Sequence, residues 1–188
     1  MGSTRERPKV SLAREFEEWL RVIPGDVDAT TEMVRQRIGR IARQFERVLA
    51  DVADDHEMSA GDWEALSVLA RSADQGGLTP GRMAAILGLT SGTVSVRLER
   101  LMAAGLIERA EGTDKRQRPV RLTAAGRDGW GAATVARTTA ESRLMRDCLT
   151  GGELDQLSDL LGTLLVRLES AYGPAPRHDM TRGRKARE

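Results

Sequence analysis

The sequence of 188 residues holds a single cysteine, Cys148. No disulfide can close within the chain, and a thiolate metal cluster is excluded. The two histidines, His56 and His178, stand far apart without metal-ligand spacing, so no metal site is expected. Aromatic residues make up only 3%, too few for the stacking platform that single-stranded nucleic acid requires. No apolar run approaches the ~20 residues that span a bilayer. The N-terminal MGSTRERPKV is charged and no apolar stretch follows it, so neither a membrane span nor a signal peptide is expected, and the chain is expected to be cytoplasmic. No P-loop, dinucleotide fingerprint, metal cluster or nucleophile–base pair is recognisable. Neither a cofactor nor an enzymatic activity is expected.

Charge is plentiful but unevenly placed. The net charge is +1 and charged residues make up 30%. Residues 79–127 carry nine basic and four acidic groups, whereas residues 1–78 and 128–172 are net acidic and the last 16 are basic. A basic block between acidic flanks suggests a module that faces a polyanion, held between modules that face solvent or a partner.

The apolar periodicity is helical almost throughout. Residues 11–21 read as a short amphipathic helix with Leu12, Phe16, Trp19 and Leu20 on one face, ended by Pro24-Gly25. Over 29–53, Val34, Ile38, Ile41, Phe45, Val48 and Val52 form a narrow seam suited to another helix. Ser59 can cap a third helix, with Asp62 three residues on. Thr79-Pro80 starts a short helix over 80–87, Gly88-Leu89-Thr90 turns the chain, and a further helix runs from about Ser91 to Ala104. Two short helices joined by such a turn form a helix-turn-helix, with Met83, Ala84, Leu87, Leu89, Val94, Leu98 and Leu101 as its core.

Residues 106–109 and 120–122 read as paired strands around the basic loop AEGTDKRQRP, a wing. Thr123 caps a helix over 124–148, whose Gly126, Gly129 and Gly131 weaken its first turns. Thr150 and Glu153 form a capping box for the last helix, where Leu154, Leu157, Leu161, Leu164 and Leu168 repeat at steps of three and four. So much leucine on one helix calls for a partner, and a second copy of the chain is the simplest. Cys148, beside this stripe, is expected to be a buried small apolar residue.

The fold class is therefore mainly α with a small β-hairpin: a winged helix-turn-helix plus a helical dimerisation domain from the N- and C-terminal helices. The expected division is a flexible 1–10, N-terminal helices for dimerisation and a ligand cleft over 11–54, the winged helix-turn-helix over 55–123, dimerisation helices over 124–172, and a disordered basic tail over 173–188. A major groove admits an α-helix. Ser91, Thr93 and Ser95 place short hydroxyls near the positive N-terminal end of the second helix, within reach of phosphates or base edges. Thr93, Ser95, Arg97 and Arg100 are expected on the face opposite the core, with Arg100 reaching phosphate or guanine. The loop cations Lys115, Arg116 and Arg118 suit a groove of concentrated negative potential.

The order of elements, with Gly-Leu-Ile-Glu-Arg at 105–109, Asp114-x-Arg116 and Leu122-Thr-x-x-Gly-Arg127, resembles the MarR family of regulators. The resemblance implies a homodimer on a pseudo-palindromic stretch of double-stranded DNA, with Arg116 in the minor groove and Asp114 bracing it. The additional N-terminal helix is similar to that of the urate-responsive subgroup. It implies a site for a small anionic ligand made of Trp19, Glu64, Arg71 and Arg97, with Glu64 standing where the subgroup usually has Asp. The alternatives are another phenolic or carboxylate ligand, or a ligand-independent architectural or interaction module.

Overall fold

The computed structural model describes residues 12–73, 76–110 and 119–174. They form seven helices and one two-stranded antiparallel sheet: α1 (Leu12–Val22), α2 (Ala29–Asp55), α3 (Ala60–Arg71), α4 (Pro80–Leu87), α5 (Ser91–Ala103), β1 (Ile107–Arg109), β2 (Val120–Leu122), α6 (Ala124–Cys148) and α7 (Gly151–Tyr172). The chain divides into two compact units, Met1–Gln44 and Phe45–Glu188.

In the first unit, Asp28 starts α2 by accepting the backbone N–H groups of Thr30 and Thr31 and the Thr31 hydroxyl. Four residues on, the Glu32 carboxylate accepts from Trp19, Arg35 and Gln36. The bond from Arg35, then those from Gln36 and Trp19, hold its carboxyl down at about 2. Gly25 ends the turn after α1 at φ 93°, a left-handed value that favours glycine.

The second unit has one core. It draws on Leu49 and Ala53 of α2, the apolar face of α3, Met83 and Leu87 of α4, Val94, Leu98 and Leu101 of α5, Ile107, Val120 and Leu122 of the strands, and Ala133 of α6. The expected helix-turn-helix core is present, with Leu89 packed at its margin. Thr79 caps α4 ahead of Pro80. Gly88, at φ 63°, closes α4 by donating to the Ala84 carbonyl.

Two features depart from expectation. Leu78 adds a third rung to the sheet, exchanging backbone hydrogen bonds of 2.9 and 2.8 Å with Val120. Gly77 beside it has φ 114°, and a Cβ there would press on the Val120 carbonyl oxygen. The Gly76-Gly77 break is thus also a sheet junction. Second, Cys148 is exposed rather than buried, because among the described residues no side chain of the neighbouring α7 is buried against that end of α6.

Gly126 is not merely a weak helix former. The Thr123 N–H donates to the Leu106 carbonyl at 3.1 Å. The Thr123 hydroxyl donates to the Gly105 carbonyl and accepts from the Gly126 N–H. Gly126 is packed so closely that a Cβ would overlap the Leu106 carbonyl oxygen. Arg127 then donates to the Leu122 carbonyl at 3.2 Å. The run Leu122 to Arg127 ties the root of the hairpin to the first turn of α6. No described helix is long and apolar enough to cross a membrane.

Candidate nucleic-acid interface

Helix α5 begins at Thr90, whose hydroxyl accepts the Thr93 N–H at 3.2 Å and lies 2.9 Å from the Thr93 hydroxyl. Thr90, placed in the turn by sequence, is the cap, and Thr93 is partly engaged with it. Ser91, Thr93 and Ser95 are all exposed on the first turns of α5, where the N–H groups without intrahelical partners favour anions. The buried stripe Val94, Leu98 and Leu101 fixes which side of the helix faces outward.

The two arginines of α5 do not both stand on the outward face, as the sequence suggested. Arg97 turns toward α3. Its guanidinium lies against Gly61, where a Cβ would collide with it, and its Nη1 is 3.8 Å from a Glu64 carboxylate oxygen. The Arg97 side chain is only 16% exposed. Its Nη1 is buried without a hydrogen-bond acceptor among the described residues. Arg100 donates to Asp62, and at 3.2 Å to the Ser59 hydroxyl, but its side chain stays 57% exposed. Asp62 also accepts the Ser59 N–H and hydroxyl, closing the expected capping box.

Glu64 and Arg97 are brought together. Arg71 is the last residue of α3, exposed, about two turns beyond Glu64. Trp19 belongs to the first unit, where it donates to Glu32 at 2.8 Å. Asp114, Lys115, Arg116 and Arg118 lie outside the described residues. The described base of their loop is closed by a hydrogen bond from Ala110 to the Pro119 carbonyl at 2.9 Å and by pairing of Glu108 with Arg121. A cleft of about 510 Å³ opens between the end of α3, the hairpin and the start of α6, lined by Glu108, Arg121, Arg127 and Trp130 but not by Glu64, Arg71 or Arg97.

Helix α3 also carries the link to α6. Trp63 donates to the Thr134 hydroxyl at 3.0 Å, and the Arg137 guanidinium stacks 4.5 Å from its ring centre. Trp130 donates to the Ser67 hydroxyl at 2.8 Å. Consecutive residues of α3 thus grip α5 through Asp62 and Glu64, and α6 through Trp63.

Residues 56–117 match the model of the MarR family. Over that segment the chain is similar to the MarR family. Solved structures share the fold. Apo MarR from E. coli is 23% identical, with a TM-score of 0.60 over 69% of this chain and 96% of its own. MepR, a transcription regulator of the Staphylococcus aureus efflux pump MepA, is 25% identical, with a TM-score of 0.61 over 70% and 95%. A MarR family protein from Mycobacterium tuberculosis is 20% identical, with a TM-score of 0.59 over 69% and 91%. No protein of curated function matches the chain. MarR-family members are DNA-binding transcription regulators, not enzymes, and the matched segment overlaps the basic stretch 79–127.

Proposed function

We propose that the protein is a homodimeric repressor of transcription that grips a pseudo-palindromic duplex and is released by a small anionic aromatic ligand of the urate class. The observation that carries the DNA reading is α5: its core side is buried, its first turns present exposed Ser91 and Ser95, and Arg100 in its last turn keeps an exposed edge. The division into arms follows the sequence: residues 55–123 for DNA, 11–54 and 124–172 for pairing, and a basic tail from 173. A two-fold dimer spaces its recognition helices about 34–36 Å apart, one turn of duplex. Asp114, Lys115, Arg116 and Arg118 complete the contact from the wing.

Glu64 and Arg97 support the ligand reading. A buried guanidinium nitrogen without an acceptor is costly, and a planar anion beside it supplies one. The anion also competes with Glu64. Because Arg97 lies on α5 and Glu64 on α3, the exchange gives bound and free states different recognition-helix positions, which is what coupling between two sites requires. Arg71 and Trp19 stay in the set on the family resemblance. Glu64 in place of the subgroup's aspartate favours a ligand differing in size from urate, so a phenolic or carboxylate ligand is the second reading.

Fluorescence anisotropy with a duplex selected from a random library tests this. With six or more phosphate contacts, affinity is expected to fall about a thousandfold between 50 and 200 mM salt, and urate or salicylate is expected to lower it further. Salt-insensitive binding, or none, removes the DNA reading. Binding unaffected by either anion removes the ligand reading alone.

A further inference from the structure

We propose that Val96 reads the C5-methyl group of a pyrimidine, thymine in the first instance, in the major groove. The proposal rests on the reading that α5 enters that groove. Val96 is 66% exposed, an apolar side chain with no core to join. At about 100° per residue it falls nearly opposite the buried stripe of Val94, Leu98 and Leu101. Gly92, Glu99 and Ala103 lie within about 60° of it, and all three are exposed. The middle of the outward face is thus a valine, with a glycine one turn before it and an alanine two turns after.

The long cations of the helix lie elsewhere. Arg97 is folded against Gly61 and Glu64, and Arg100 is drawn toward Asp62. Short side chains along the outward line let the helix approach base edges closely, so the groove floor meets Val96 rather than an arginine. Glu99 on the same line would be repelled by phosphates, but facing bases it accepts from an amino group. Of all groups displayed in the major groove, only the C5-methyl is apolar. Covering one methyl between two apolar groups is worth about a fourfold change in affinity.

The full-length protein, wild type and Val96→Ser, is used to enrich a random duplex library. Each thymine of the enriched duplex is then replaced in turn by deoxyuridine, which removes only the methyl. Wild type is expected to lose about fourfold at one thymine per half-site, and Val96→Ser to be indifferent there. At the same position, 5-methylcytosine against cytosine separates the two sources of the group. A gain of similar size for wild type assigns the methyl itself, and no gain assigns thymine alone. A wild type indifferent to every methyl, or a serine variant that senses the same methyls, overturns the proposal. Failure of both proteins to enrich any duplex overturns the DNA reading, and Val96's role with it.

Discussion

Asp62 serves two elements with one carboxylate. It closes the capping box at the start of α3 and receives Arg100 from α5. Burial by itself would raise its carboxyl, but the bonds from Arg100 and Ser59 outweigh burial and hold it below the ordinary aspartate value. A lowered folded value has one sign: the stabilisation is complete above the unfolded aspartate value and fades as pH falls through the folded one. Asp62→Asn is expected to reduce stability by about 1–3 kcal/mol at neutral pH in urea unfolding. The gap to wild type is expected to close as the medium becomes more acidic than the ordinary aspartate range. Half of this was legible in the sequence. Ser59 and Asp62 carry the local spacing of a capping box. The partner Arg100 lies 38 residues away, and such pairings are set by how helices pack. The same limit explains Arg97, assigned to the outward face by residue type and turned inward by the space above Gly61.

At the level of elements, the helices, both capping boxes and the two hairpin strands were readable, because caps and periodicity are local. Leu78 was not, since a single residue has no period and its rung depends on Val120. Gly126 was read as a weakness and is a contact instead. A Cβ there would overlap the Leu106 carbonyl, a constraint visible only once hairpin and helix meet. Gly126→Ala is expected to cost about 3 kcal/mol by chemical denaturation, at the upper end of overpacking penalties. Gly129→Ala, where a Cβ meets nothing within 4 Å, is expected to be neutral or mildly stabilising. Equal costs at the two glycines would remove the junction argument.

For the whole molecule, the unsatisfied feature is α7. None of its residues is buried, and Leu160, Leu161, Leu164, Leu165, Val166 and Leu168 all stand open. A helix of that composition is stable in water only when its face is covered. Truncation after Thr150 is expected to turn the proposed dimer into a monomer in sedimentation equilibrium, and a truncated chain that still pairs would place the interface elsewhere. The leucine stripe could be read from spacing alone, and the described residues leave it open. Whether the four ligand residues meet could not, because it depends on Trp19, Glu64, Arg71 and Arg97 from three separate helices.

The knot of hydrogen bonds at Thr123 has a mechanical meaning. Hairpin root and first turn of α6 share the same carbonyls at Gly105, Leu106 and Leu122. The two strands cannot be steered independently: a twist of α6 about its own axis turns β1 and β2 with it, so whatever grips the far end of that helix also sets the aim of the hairpin's described base.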